Sequence, residues 1–147
     1  MVKIETILVP IDFSEHASHA LDYAIELAEH FGAKLHLLHS YPLHPGMASA
    51  DYGACVPADL DGTFRAGANE QLKACAEKVT ARGLHVETNA TPVPAADAIS
   101  AHAEALQADL IVMGTRGLTG MKHVLLGSVA ERTVRTAACP VVTLKAS

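Results

Sequence analysis

Positive charge is scarce in this chain. Eleven Lys and Arg face sixteen Asp and Glu, a formal net charge of -5 over 147 residues. Sequence-independent binding to nucleic acid displaces counterions with a positive field, and this composition does not supply one. Long apolar runs are missing too, since none approaches the roughly 20 residues that cross a bilayer. The opening stretch MVKIETILVP carries Lys3 and Glu5 inside a strand-like alternation, so it reads as structure and not as a secretory leader. Cysteine is sparse: Cys55, Cys75 and Cys139 are an odd set with no C-x-x-C pair. That removes a disulfide framework and the common metal and redox motifs. A reducing cytoplasm is the expected compartment.

Apolar residues, by contrast, make up half of the chain, and 18% is charged. At this length that supports one domain around a single core. The hydrophobic period switches between short runs and helical spacing, the pattern of a parallel α/β sheet. KIETILVPID reads as the first strand. SEHASHALDYAIELAEHF follows, with Ala17, Leu21, Ala24, Ile25, Ala28 and Phe31 on one helix face. Ser14 suits its N-cap and Gly32 the position just past its end. AKLHLLHS is the second strand. ANEQLKACAEKVTAR is the second helix, with Leu72, Cys75, Ala76 and Val79 inward and Gly83 stopping it. LHVETNAT is the third strand, and Pro94 stands where AADAISAHAEALQ can begin without wasting a donor. ADLIVMG, SVAERTVRTA and PVVTLK then give a strand, a helix and a last strand. Five strands and four helices in this order predict a doubly wound open sheet with right-handed crossovers. Residues 42–68 break the rhythm with prolines, glycines and no clear period, so a mobile loop near the ligand site is expected there, within one domain spanning 1–147.

In such sheets a ligand sits past the carboxyl ends of the strands, where the winding direction reverses. The first strand ends in VPIDFS and the fourth in VMGTRG. From the latter, GTRGLTGMKHVLLGS spaces glycines at 114, 117, 120 and 127 and closes on Ser128. Backbone amides in a turn form an anion-binding hollow, and a helix N-terminus adds unpaired donors and partial positive charge. Gly114, Gly117 and Gly127 remove Cβ atoms that would block approach and permit positive φ. Ser128 offers a hydroxyl and a first-turn amide, and Arg116, Lys122 and His123 add charge. Asp12 can accept from a ribose or hold a metal. Neither standard phosphate motif fits: no lysine precedes Ser128, and GTRGLTG has two residues in its first gap. Pattern alone leaves a phosphate site and a plain glycine-rich connection both open.

A resemblance separates them. G-x-x-G, nine residues, then G-[ST] resembles the signature of the nucleotide-binding branch of the universal stress protein family, matched at Gly114, Gly117, Gly127 and Ser128. ILVPIDFSEHASHALDYAIELA, LHLLHS and CPVVTLK are similar to the family's opening strand and helix, second strand and closing strand. The resemblance implies a Rossmann-like, adenine nucleotide alpha hydrolase-like sheet of strand order 3-2-1-4-5 that holds ATP. Carried over, Pro10, Ile11 and Asp12 line the adenosine, with Asp12 near the ribose. Ser40 contacts the adenine through its backbone, and Met113 packs near the nucleoside. Gly114, Arg116, Gly117, Gly127, Ser128 and Val129 take the phosphates, which hold Mg2+ or Mn2+ in turn. Two positions depart from the family. Pro92 stands where a glycine is frequent, and Ser40 replaces a commonly apolar residue.

The other chemistry-bearing residues read more plainly. Nine histidines invite a metal, and His16 and His19 share a helix face, but a pair is not a site. His36 and His39 have the same spacing on a strand, which sends them to opposite sides. Cys139 reads as a small buried residue, and Cys55 would be reactive only if exposed. The expectation is an ATP-binding, cytoplasmic stress-response protein that switches with its nucleotide. It pairs with itself through the last strand and acts on an unidentified regulatory protein, with no nucleic acid and no membrane span. A slow ATPase is the first alternative, weakened because Asp12 is the one acid expected at the crevice. A dimerisation module without a ligand is the second, and the intact glycine series argues against it.

Overall fold

The structure is a computed structural model that describes residues 1–42, 59–116 and 126–146. Its elements are β1 (Thr6–Pro10), α1 (Glu15–Phe31), β2 (Lys34–Ser40), α2 (Leu60–Thr80), β3 (Val86–Thr91), α3 (Ala95–Leu106), β4 (Leu110–Gly114), α4 (Ser128–Thr136) and β5 (Val141–Leu144). All strand pairs are parallel and the order is β3-β2-β1-β4-β5. The expected doubly wound sheet is therefore the observed one.

Strand alternation sorts the core into two layers. Ile7, Val9, Leu35, Leu37, Leu110 and Val112 face α1 and α2, where Leu21, Ile25, Leu72 and Val79 cover them. Leu8, Leu38, Ile111 and Met113 face the other way, against Ile99 and Ala103 of α3 and Ala130 of α4. Both faces of the central strands β1 and β4 are buried, which is why these read as continuous apolar runs, whereas the edge strand β3 is largely exposed. Each fully buried Leu or Ile contributes about 1.5–3 kcal/mol, so the central strands carry most of the fold's stability.

The start and stop signals of α1 act as the sequence indicates. Ser14 Oγ accepts from the Ala17 N–H at 3.1 Å, and Gly32 takes the left-handed conformation at φ 71. Ala20 joins the buried face, but Phe31, expected inward, is 42% exposed. At the last position of the helix its ring rests edge-on against His30 instead, at 4.9 Å. A larger difference concerns α2, which begins at Leu60 inside the segment expected to be loop. Asp59 starts it by accepting from the Gly62 N–H at 2.9 Å, and a Cβ on Gly62 would lie 2.1 Å from that carboxylate. Tyr41 donates to Asp61 at 3.0 Å, and Arg65 donates to the Ala90 carbonyl at 3.0 Å. Capping and tertiary bonds thus outweigh two glycines that look like helix breakers. Residues 43–58 of the expected loop lie outside the described residues.

One buried polar group ties stability to pH. His36 is 7% exposed and sits opposite Glu87 in the β2–β3 register. Its Nε2 is 3.2 Å from the Glu87 carboxylate, without the alignment of a hydrogen bond. Burial pushes the His36 imidazole below its usual 6.5; Glu87 pulls it back up, while Lys34, His85 and His102 push it further down. Between the two values the unfolded chain binds more protons than the folded one, so stability falls as pH falls. This contribution is complete above pH 6.5 and is lost on acidification through the lowered folded value. Urea melts at pH 7.5 and 5 should therefore show a midpoint that drops on acidification, and His36→Leu should shrink that drop.

Candidate functional site

The β1–β4 ladder pairs Ile7 with Leu110 and Leu8 with Ile111, then stops. Both strands run further, β1 to Pro10 against β2 and β4 to Gly114 against β5. A gap therefore opens between their carboxyl ends, at the point where the winding reverses.

On the β1 side, Pro10 is half-buried and Ile11 is 4% exposed, with the Ile11 N–H donating to the Leu38 carbonyl at 2.8 Å. Asp12 is half-buried, and its Oδ1 accepts from the Ser14 N–H at 3.0 Å, an Asx turn. Among the described residues no group bonds its Oδ2. Between them Phe13 adopts φ 64, a left-handed conformation that costs a side-chain-bearing residue about 1–2 kcal/mol. Its ring lies 4.5 Å from that of His39, whose Nδ1 donates to the Ile11 carbonyl at 2.7 Å.

On the β4 side Gly114 and Gly127 each meet a neighbour within the chain, and neither has the positive φ expected of it. A Cβ on Gly114 would lie 2.7 Å from the Cβ of His16 and 2.9 Å from its backbone carbon. Glycine is required there by the first turn of α1. Gly127 has an ordinary φ of -67, so positive φ does not explain it. A Cβ on it would come 3.1 Å from the Thr115 carbonyl oxygen, which accepts the Gly127 N–H at 2.6 Å. That bond ties the start of α4 to the end of β4. Gly127 caps α4 with no side-chain hydrogen bond, so among the described residues the first-turn amides of Ser128, Val129 and Ala130 have no side-chain acceptor. Ser128 and Val129 are exposed and Arg116 is half-buried, while Gly117, Gly120, Lys122 and His123 lie outside the described residues.

Two helix N-termini thus converge on the end of β4. That of α1 packs on Gly114 through His16, and that of α4 is bonded to Thr115. Met113 is 5% exposed within the α3–α4 layer, so it forms the packed floor beneath this region. Ser40 stands at the end of β2, where its hydroxyl donates to the Val93 carbonyl and ties the strand to the Pro92–Pro94 turn. Sequence reasoning missed three residues here: His39, His16 and Thr115. Thr115 is 4% exposed with no hydrogen-bond partner for its hydroxyl. Only the position of Thr115, one past a strand end, hinted at any of them.

Among the described residues, His16, His19, Cys75 and Cys139 have structural surroundings. His19 Nδ1 donates to the Lys145 carbonyl at 3.0 Å, and His16 Nδ1 accepts from the Ala146 N–H at 3.1 Å. This pair clasps the chain beyond β5. Burial pushes the Cys75 and Cys139 thiols up, away from the reactive thiolate. Cys55 lies outside the described residues. Among the described residues, no group of three or more His, Cys, Asp or Glu could hold a metal, and no helix is long and apolar enough to cross a membrane.

Comparison with known proteins bears on this geometry. The profile of the universal stress protein family matches residues 3–145. Universal stress protein MJ0531 of Methanocaldococcus jannaschii is 32% identical over 139 residues, covering 95% of this chain and 81% of its own. The solved structure of the hypothetical protein MJ0577 superposes with a TM-score of 0.86 at 26% identity, covering 99% of both chains. A universal stress protein solved in complex with cAMP shares the fold, with a TM-score of 0.73 at 24% identity over 99% of both chains.

The contact at Gly114 carries a stability test. Gly114→Ala forces the first turn of α1 to shift and should cost about 1–3 kcal/mol in chemical denaturation. Because the clash is with the Cβ and backbone of His16, adding His16→Ala should not restore the loss.

Proposed function

The chain belongs to the universal stress protein family, and from that premise we propose that it binds ATP in the gap between β1 and β4 and works as a nucleotide-dependent regulatory homodimer in the cytoplasm. The observation that carries the reading is the N-terminus of α4: bonded to the end of β4 at Thr115 and, among the described residues, uncapped by any side chain. Free first-turn amides and the helix dipole favour an anion there. The β1 side supports the other end of a nucleotide, since Asp12 keeps one carboxylate oxygen aligned by Ser14 and offers the other to a ribose hydroxyl.

The residues present fit an adenine nucleotide. In this reading Gly114, Arg116, Gly117, Gly127, Ser128 and Val129 surround the phosphates, and Pro10, Ile11, Met113 and the Ser40 backbone border the nucleoside. Mg2+ or Mn2+, held mainly by the phosphates, would supply charge neutralisation. The related protein solved with cAMP holds an adenine nucleotide on the same fold. Asp12 is tied to the Ser14 amide and to a strained turn, which suits an acceptor that orients a ligand more than a base that abstracts a proton. We therefore rank a slow ATPase, and a ligand-free dimerisation module, below a binding switch.

The homodimer would form at β5, an edge strand. The Pro140 and Leu144 carbonyls accept from Ile111 and Thr115 of β4. By the alternation of a strand, Val141 and Thr143 then turn their N–H and C=O outward. An open apolar edge of this kind is a template for a second copy.

Two experiments test the reading. Calorimetric titration with ATP plus magnesium should show binding that AMP reproduces more weakly. Ser128→Pro should reduce ATP affinity at least tenfold with little change in melting temperature, because proline is tolerated at the first helical position yet removes a donor. Absence of ATP binding by folded protein that also purifies without nucleotide would overturn the proposal. For the dimer, Thr143→Pro removes an outward donor without touching the β4 ladder, and light scattering should find a folded monomer.

A further inference from the structure

We infer that His39 is the positioning residue of the nucleotide site: it holds the turn that carries Asp12 in its ligand-ready shape without touching the ligand. The inference rests on the nucleotide-binding reading above and says which group of this chain prepares the site.

The backbone pairing of β1 with β2 ends at Pro10 and Leu38. One residue further, Ile11 is still held on both sides of its peptide unit. Its N–H donates to the Leu38 carbonyl at 2.8 Å, and its carbonyl accepts from His39 Nδ1 at 2.7 Å. The imidazole therefore supplies a rung beyond the point where the strand ladder ends. Because the acceptor is a carbonyl, Nδ1 must carry the proton. It does so in one neutral tautomer and in the imidazolium, so the hold survives protonation of the ring.

The strain at the next residues shows what the bond is holding. Phe13 sits at φ 64, where glycine would rest at no steric cost. Such a residue persists only when its surroundings over-determine it. Besides the packing of Phe13 against the core layer of α1 and α2, three contacts do so here: the His39 bond to the Ile11 carbonyl, the packing of the Phe13 ring on the His39 ring at 4.5 Å, and the Ser14 N–H on Asp12 Oδ1 at 3.0 Å. Two of the three belong to His39. The Ile11–Asp12 peptide cannot turn while its oxygen is bonded, and the orientation of that peptide sets where Asp12 leaves the chain. Fixing it in advance removes an ordering cost from binding. His39 acts on the sugar end of the ligand alone, since the phosphate hollow is built by β4 and α4.

The test uses the full chain, with ATP plus magnesium and inorganic tripolyphosphate plus magnesium as probes. His39→Phe keeps a ring against Phe13 and deletes the donor. His39→Asn keeps a donor close to the Nδ1 position and deletes the ring. Asp12→Ala is the reference. His39→Phe should weaken ATP about tenfold and tripolyphosphate less than twofold, with His39→Asn near wild type. The double variant His39→Phe, Asp12→Ala should bind ATP no more weakly than Asp12→Ala alone, since groups acting through one another are not additive. Hydrogen exchange of the Ser14 amide should accelerate about tenfold in His39→Phe. Equal losses for both probes, or additive losses in the double variant, would mean a general structural role and overturn the inference. If wild type binds no ATP, the nucleotide reading fails, and Ser14 exchange alone decides. Unchanged exchange in His39→Phe overturns the hold on the Asp12 turn; faster exchange upholds it for a ligand of other chemistry.

Discussion

Chain direction is the constraint on which the site depends. The chain leaves β1 toward one face of the sheet, where α1 and α2 lie, and leaves β4 toward the other, where α3 and α4 lie. Among the described residues, the pairing of the two strands ends at Leu8 and Ile111. The gap is thus a consequence of winding, present before any side chain is chosen. What the sequence adds is the furnishing of its two walls, a strained acidic turn on one side and a tight glycine-lined helix entry on the other.

Those walls show why packing and function are hard to separate at a strand end. Gly114 and Gly127 look like residues kept for a ligand, yet each has a neighbour in the chain itself that excludes a Cβ. The first turn of α1 leans on Gly114, and the start of α4 leans on Thr115 and Arg116. Bringing two helix N-termini this close to one strand end requires glycine at the contacts. At α4, whose first turn has no side-chain cap among the described residues, the same approach turns amides and a helix dipole toward the strand end. The steric requirement and the exposure of the α4 N-terminus are two results of the same approach.

Much of this was legible in the sequence because it depends on local chemistry or on periodicity. The run of elements followed from the change between period 2 and period 3.6, and the ends of α1 followed from Ser14 and Gly32, whose capping needs no distant partner. The gap followed from the order of strands. The rest required tertiary knowledge. The early start of α2 depends on Tyr41 and Ala90, which stand far from it in sequence. Phe31 continues the apolar spacing of α1, but no layer covers the end of that face. His39 looked like one of two histidines pointing apart on a strand; its role appears only when Ile11 and Phe13 fold beside it. The reason for Gly114 is likewise invisible until α1 is packed. Spacing reveals that small residues recur, and the fold reveals against what.

The first turn of α1 is where the site and the sheet edge meet. His16 touches Gly114 at the end of β4 with its Cβ and backbone, and the same residue accepts the Ala146 N–H just past β5. The two contacts differ in hardness. The first is a steric limit against backbone, where a few tenths of an ångström are costly. The second is a single hydrogen bond, worth about 0.5–1.5 kcal/mol net. Of the two contacts, the softer is therefore the one to the segment following β5. The neighbouring His19 bond to Lys145 lies on the same segment and is no stronger in kind. Hard contacts thus lie inside, at Gly114, and softer ones at the sheet edge, beside β5.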